Sequence, residues 1–516
     1  MATKEVFIAA IDIGTTTIRC HIYNEKAELK GSGTQKMQVH RPAHGRVEIE
    51  PDSLWKQFTS VVKEAITDAG LVAAQVIAMG ISTLRATFLT WNRETGEPYH
   101  NFICWNDTRA EKYVEDINRS LSFKGLQKGS KFLHFFSRMR RFEAGGIFTF
   151  TSQHVSIRLS FVLETMPKVK EDALNNKLMF GTIETWLVWK LTKGKVHATD
   201  VSNISATGLY DMYKNDWNTI HTGYLGIPLN IMPEVKDTSD DYGLCDPEVF
   251  GAPIPIKAVV GDQSSASFGQ CCFQEGDIKV TMGTGTFLIL NTGSRPCLPC
   301  NGVYPIIGWK LGKETVYLLE CNDSDAGTVI EWSLKMGFYE DPGKSVEVVN
   351  SVEDSGGVYF VPAFHGLQSP INDFSACCCL MGLKPTTTPA HIARAALEAI
   401  AFRVVQLYNI ARTQSGTKLR PLIRFDGGVS NNDFILQLVS SLLVQKIDRP
   451  QNLDMSCLGA AFLAGLGAGV WKNKEELVSL RVSQTTFDPR PALESYELIC
   501  KEWMKAVRRS QGWYAT

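Results

Sequence analysis

The stretch Ile11-Asp12-Ile13-Gly14-Thr15-Thr16-Thr17-Ile18-Arg19 decides the fold. It continues Val6-Phe7-Ile8-Ala9-Ala10, a short apolar run that reads as a buried strand. The strand ends in an aspartate, a glycine and three threonines. Glycine permits a tight turn with backbone N–H groups open to an anion. The threonine hydroxyls add donors, Arg19 adds a cation, and Asp12 offers the hard oxygen that suits Mg²⁺. Together these residues predict a phosphate-handling hairpin. The plainer reading is a strand–turn–strand with polar turn residues. Short Gly/Thr motifs recur by chance, so the rest of the chain must separate the two.

At 516 residues the chain is too long for one core and predicts two to four domains. A hydrophobic content of 44% and a net charge of -1 describe a soluble globular protein, with no overall pull toward nucleic acid or acidic membranes. No apolar run is long enough to span a bilayer. The longest, Leu458 to Trp471, is glycine-rich and reads as a buried helix. Met1-Ala2-Thr3-Lys4 enters the first strand without the apolar core of a signal peptide. Thirteen cysteines include the adjacent sets Cys271-Cys272 and Cys377-Cys378-Cys379, which suit reduced thiols and a cytoplasmic location. Cys297-Leu298-Pro299-Cys300 has no second pair at zinc-finger spacing.

Strand-like and helix-like patterns alternate, which argues α/β architecture. Strands are expected at Val76–Ile81, Thr87–Trp91, Ile256–Val260, Ile278–Met282, Phe287–Leu290, Val316–Leu319, Val358–Val361 and Leu422–Phe425. Helices are expected at Pro51–Asp68, Pro389–Thr413, Asn432–Leu443 and Ser456–Leu466. The Pro389 helix has the clearest signals: Thr388 to cap it, proline in its first turn and Gly416 beyond its end. Ile392, Ala396, Ile400, Val404 and Leu407 form its core stripe. A boundary near residue 268 divides the chain into domains at 5–268 and 269–490, followed by a tail helix at 491–516.

The segment from Arg119 to Phe142 stands apart. It holds seven Lys or Arg residues and no acid, interleaved with Phe123, Phe132, Phe135, Phe136 and Phe142. The favoured reading is a solvated insertion with a few aromatics docked on the body. A helix that binds a membrane surface or a partner is the alternative.

Four glycine turns follow strand-like runs: Asp12-Ile13-Gly14-Thr15-Thr16, Gly261-Asp262-Gln263, Gly283-Thr284-Gly285-Thr286 and Asp426-Gly427-Gly428-Val429-Ser430-Asn431. Four such turns across both halves of an α/β chain are not readily accidental. With them stand Cys104-Trp105-Asn106-Asp107-Thr108-Arg109, Gly181-Thr182-Ile183-Glu184-Thr185-Trp186-Leu187, Phe360-Val361-Pro362-Ala363-Phe364-His365-Gly366-Leu367 and Leu458-Gly459-Ala460-Ala461-Phe462-Leu463-Ala464-Gly465. On these motifs, in this order, the chain resembles the FGGY carbohydrate kinases, and within them the glycerol kinases.

The resemblance implies a two-domain actin/hexokinase-like (ribonuclease H-like) ATPase fold, with ATP and a small polyol bound between the domains. It implies Mg²⁺ on Asp12, the β- and γ-phosphates at Thr15, Thr16 and Arg19, and further phosphate contacts at Gly283, Thr284 and Gly285. Gly427, Gly428 and Asn432 would lie near the nucleoside. Asp262 would be the catalytic base, taking the acceptor's hydroxyl proton. The alternative for Asp262 is a helix cap. Arg85, Ala86, Trp105, Gln263 and Phe287 complete the implied acceptor site, Trp105 and Phe287 as its apolar walls.

One position breaks the pattern. Glycerol kinases carry an Arg-Glu pair where this chain has Arg85-Ala86, and Gln153 or a neighbour stands for the pocket tyrosine. Loss of a paired acceptor costs ~1–3 kcal/mol, about one to two decades of affinity. Asp107 and a water are the candidate substitutes; the equal alternative is a pocket suited to another small polyol or a sugar. The leading expectation is therefore an ATP-dependent kinase making sn-glycerol 3-phosphate from glycerol. The alternatives are a kinase for another small polyol or sugar, and a nucleotide-binding pseudokinase or scaffold. Self-association stays open.

Overall fold

The computed structural model describes residues 5–300, 302–491 and 494–514. Met1-Ala2-Thr3-Lys4 lies outside the described residues. The chain forms two compact units: residues 1–271, 306–317 and 455–481 in the first, 272–305, 318–454 and 482–516 in the second. Packing thus returns residues 455–481 to the first unit, although they lie within the sequence range 269–490.

The first unit is built on a five-stranded sheet ordered Ile256–Gly261, Val76–Thr83, Phe7–Ile13, Thr17–Asn24, Leu29–Lys36. The first three are parallel and the last two antiparallel. Phe7–Ile13 is buried along nearly its whole length, as a central strand covered on both faces must be. Helices fit closely against this sheet where glycine removes the side chain. A Cβ on Gly31 would stand 2.4 Å from Ala65 O of the Pro51–Asp68 helix, and one on Gly80 2.2 Å from Ala460 O of the Met455–Gly467 helix. A smaller sheet of Glu48–Ile49, Phe102–Ile103, Phe88–Asn92 and Leu178–Thr182 carries a second apolar layer.

In the second unit the strands Thr286–Gly293, Ile278–Met282, Leu422–Asp426, Lys446–Pro450 and Ser483–Phe487 lie side by side. Ile278–Met282, Leu422–Asp426 and Lys446–Pro450 run parallel. The Pro389–Ser415 helix buries Ala396, Ile400, Val404 and Leu407 in this core and ends at Gly416, whose φ is +65°. The Glu494–Ser510 helix docks through Trp503, whose Nε1 donates to Phe360 O at 2.7 Å.

The Arg119–Phe142 segment forms the Leu121–Ser137 helix and the start of the Arg140–Ile147 helix. Phe123 is buried, but Phe132, Phe135 and Phe136 are exposed, so the aromatics expected to dock do so only in part.

Candidate active site

Parallel strands present their carboxyl ends on one edge of a sheet, where α/β proteins bind ligands. In the first unit Ile13, Thr83 and Gly261 stand in register at that edge. The residues next to them are the singled-out ones: Asp12 and the Gly14-Thr15-Thr16 turn, Arg85 and Ala86, Asp262 and Gln263.

The turn is closed by Gly14 N donating to Thr17 O at 2.9 Å, which leaves Thr15 and Thr16 exposed at its tip. Arg19 pairs across the hairpin with Asp12. Ser82 Oγ donates to Asp12 Oδ1 at 3.0 Å. Burial pushes the Asp12 carboxyl up to about 6; the Arg19 guanidinium opposes this and the nearby Asp262 adds to it. A desolvated carboxylate of this kind is ready for a cation.

Arg85 Nε donates to Asp262 Oδ1 at 3.3 Å, and Gln263 N donates to the same oxygen at 2.7 Å. Asp262 is the first residue of the Asp262–Gly269 helix, where the helix dipole favours a negative charge. Gly261 is required by Arg85: a Cβ there would stand 2.8 Å from Arg85 Cδ. Trp105 Nε1 donates to Thr15 Oγ1 at 3.2 Å, and Trp105 N donates to Thr87 Oγ1 at 3.1 Å. Asp12, Thr15, Arg19, Arg85, Ala86, Trp105, Asp262 and Gln263 thus belong to this one edge and the loop beside it.

Beneath it lies a polar floor. Asp200 accepts from Ser202 N and Asn203 N, and Ser202 Oγ accepts from Gly261 N at 2.8 Å. Glu184 accepts from Thr182 and Thr199, and burial raises its carboxyl pKa. The Gly181–Leu187 motif is therefore support under the edge rather than part of its surface.

Ala86 has a φ of +56°, the left-handed region that costs a residue with a Cβ about 1–2 kcal/mol. Its carbonyl is held by a residue that sequence reasoning missed. Arg158, wholly buried, donates from Nη2 to Ala86 O at 2.7 Å and Gln153 O at 2.8 Å, and from Nη1 to Cys104 O at 2.5 Å and Ile103 O at 3.3 Å. It ties together the three segments that carry Ala86, Trp105 and Gln153. Asp107 does not replace the missing glutamate: its buried carboxylate accepts from Val47 N and from Arg109 N, Nε and Nη2. Its oxygens are committed, which removes Asp107 from the two candidate substitutes.

In the second unit the Gly283-Thr284-Gly285 and Gly427-Gly428 turns follow the parallel strands Ile278–Met282 and Leu422–Asp426, with Thr281 in register with Asp426. A Cβ on Gly427, φ +85°, would stand 2.5 Å from Met282 O, so the turns are neighbours. Gly283 N donates to Gly285 O at 2.9 Å, and Gly285 leaves no room beside Asp323 O, 2.4 Å from a built Cβ. Thr284 is exposed, and nothing lies within 4 Å of a Cβ on Gly428. Asn432 caps the Asp433–Leu443 helix through Ile435 N and donates to Ser345 Oγ at 3.0 Å, a structural use of both its polar atoms. Phe287, half-buried, lies on the strand leaving the first turn.

Comparison with known proteins bears on both units. The amino-terminal domain of the FGGY family of carbohydrate kinases matches residues 7–269, and the carboxy-terminal domain matches residues 278–468. Glycerol kinase 5 of Bos taurus is 49% identical over 510 residues, covering 99% of this chain and 96% of its own length. Glycerol kinase of Francisella philomiragia is 36% identical over 510 residues, covering 98% and 99%. The crystal structure of Plasmodium falciparum glycerol kinase with ADP superposes with a TM-score of 0.87 at 28% identity, covering 98% of both chains.

Proposed function

The chain belongs to the FGGY family of carbohydrate kinases, and from that premise we propose that it transfers the γ-phosphoryl group of ATP to glycerol, forming sn-glycerol 3-phosphate and ADP. The observation that carries the reading is the Arg85–Asp262 pair at the sheet edge, a carboxylate fixed by a cation and a backbone N–H. Asp262 accepts the acceptor's hydroxyl proton as that oxygen bonds to the γ-phosphorus and the bond to the β-phosphate's bridging oxygen breaks. Arg85 and Gln263 hold the acceptor's hydroxyls, and Trp105 and Phe287 cover its carbons. Thr15, Thr16, Arg19, Gly283, Thr284 and Gly285 receive the phosphates. Gly427 and Gly428 admit the flat nucleoside, with Asn432 beside them.

Mg²⁺ suits Asp12. The carboxylate is desolvated, and this ion commonly takes one or two protein carboxylates and completes its shell with phosphate oxygens and water. Once bound, it would neutralise phosphate charge. The adjacent cysteines support a cytoplasmic setting with reduced thiols.

Ala86 weakens the hold on glycerol, since Asp107 is already committed. A coupled-enzyme assay across glycerol, other small polyols and sugars tests the proposal. Turnover of glycerol with a raised KM is expected. Absent turnover with glycerol, beside good turnover of another acceptor, would overturn the substrate assignment.

A further inference from the structure

Within the first unit, the Leu121–Ser137 helix is patterned inside out. Its half-buried or buried stripe is Phe123, Gln127, Ser130 and His134, at helical spacing and mostly polar. Those polar groups are used locally: Gln127 Nε2 donates to Phe148 O at 2.7 Å, and His134 Nδ1 lies 3.1 Å from Met139 O. Gly145 of the Arg140–Ile147 helix abuts Ser130, and Gly146 abuts Lys131. Arg141 anchors the hairpin by its ion pair with Asp211.

The other face carries the apolar groups. Leu121 is 87% exposed, Phe132 and Phe135 64%, and Phe136 69%. The three phenylalanines form one cluster, with ring centroids 4.9 Å apart for Phe132–Phe136 and 5.1 Å for Phe135–Phe136. A surface helix ordinarily turns such residues inward, and a clustered exposed apolar patch marks an interaction surface. Lys124, Lys128 and Lys131 are exposed along one flank, and Arg138 stands over the Phe135 ring at 5.7 Å. No acidic residue lies between Arg119 and Phe142.

We propose that this hairpin docks the protein on an anionic phospholipid surface. Its rings enter the boundary between headgroups and acyl chains, while its lysines meet lipid phosphates and carboxylates. Charge complementarity selects this occupant. A second copy meeting through the same patch would set cation against cation. The attachment is peripheral, since no helix among the described residues is long and apolar enough to cross a membrane.

The test is co-sedimentation of the full chain with phosphatidylcholine vesicles, with and without phosphatidylserine. Binding is expected only with phosphatidylserine and should weaken as salt rises. Phe132→Ser/Phe135→Ser/Phe136→Ser and Lys124→Glu/Lys128→Glu should each reduce it by at least about tenfold. Thermal unfolding and phosphoryl transfer should be unchanged. No binding to anionic vesicles at low salt overturns the proposal, as does binding that both variants retain. A concentration-dependent dimer abolished by the phenylalanine substitutions, with no vesicle binding by the parent, assigns the face to a second copy and also overturns it.

Discussion

At the scale of single residues the site divides into groups that act by type and groups that act by place. In the proposed reaction Asp262 acts by type: its carboxylate is the group assigned to take the acceptor's proton. Asp262→Asn keeps the shape and removes the basicity, so kcat should fall by about 10²–10⁴-fold. ATP binding, followed by calorimetry, should persist; full activity would remove Asp262 from the reaction. That Asp12, Thr15 and Asp262 stand at the ends of strands was legible because a glycine turn after an apolar run marks a strand end. Arg158 was not. It sits in an apolar helical run, and its partners are carbonyls of Ala86, Ile103, Cys104 and Gln153, which no residue code reveals. Arg158→Leu leaves those carbonyls without their donor and should lower stability by about 3 kcal/mol or more, read from the urea midpoint. Arg158→Lys should recover only part, because an ammonium lacks the guanidinium fork. An unchanged midpoint in Arg158→Leu would show that the carbonyls find water instead.

At the scale of elements, legibility follows how local the determinants are. The Pro51–Asp68 and Pro389–Ser415 helices are where proline starts, apolar stripes and Gly416 put them. The Met455–Gly467 helix was legible as a helix, but not as part of the first unit, since chain order does not show packing order. Its glycine content has a tertiary cause. A Cβ on Gly459 would stand 1.8 Å from Ser265 O, and one on Gly269 2.3 Å from Met455 O, so the Asp262–Gly269 and Met455–Gly467 helices touch backbone to backbone. Gly459→Ala must push the helix bearing Asp262 away and should cost at least about 1–3 kcal/mol, lowering Tm and activity together. Gly428→Ala is its counterpart. With open space around it and no positive φ, it should leave Tm unchanged and raise the KM for ATP. A Tm loss in Gly428→Ala as large as that in Gly459→Ala would overturn this division between packing and binding glycines. The basic hairpin shows the reverse case. Its helices are local, but which face turns outward depends on what the body offers, and the sequence reading, which expected a few aromatics to dock, did not say which; Phe123 is buried, while Phe132, Phe135 and Phe136 are exposed.

At the scale of the whole molecule, acid should act unequally on the two units. Burial lowers His21, His100, His154 and His197 to about 4 each, and all four lie in the first unit. Unfolded, these histidines titrate near 6.5. Between about pH 6.5 and 4 the unfolded first unit therefore binds protons that the folded one refuses. Stability is full above that window and is lost as pH falls through it, by up to about 3 kcal/mol for each histidine at the acid end. Buried carboxylates work in the opposite direction. Asp12, Glu184 and Asp200 in the first unit, and Asp323 and Glu398 in the second, have raised pKa values, so acid relieves the cost of their charge. That relief is shared between the units, whereas the depressed histidines are confined to the first. Hydrogen exchange followed by mass spectrometry at pH 7 and pH 5, corrected for intrinsic rates, separates the two. Peptides of Val76–Thr83 and Leu178–Thr182 should lose protection at pH 5 while those of Pro389–Ser415 keep theirs. Equal loss in both units, or earlier loss in the second, would mean that the carboxylates outweigh the histidines. Replacing His197 by Gln should then recover part of the lost protection, because it removes a proton site that only the unfolded chain can fill.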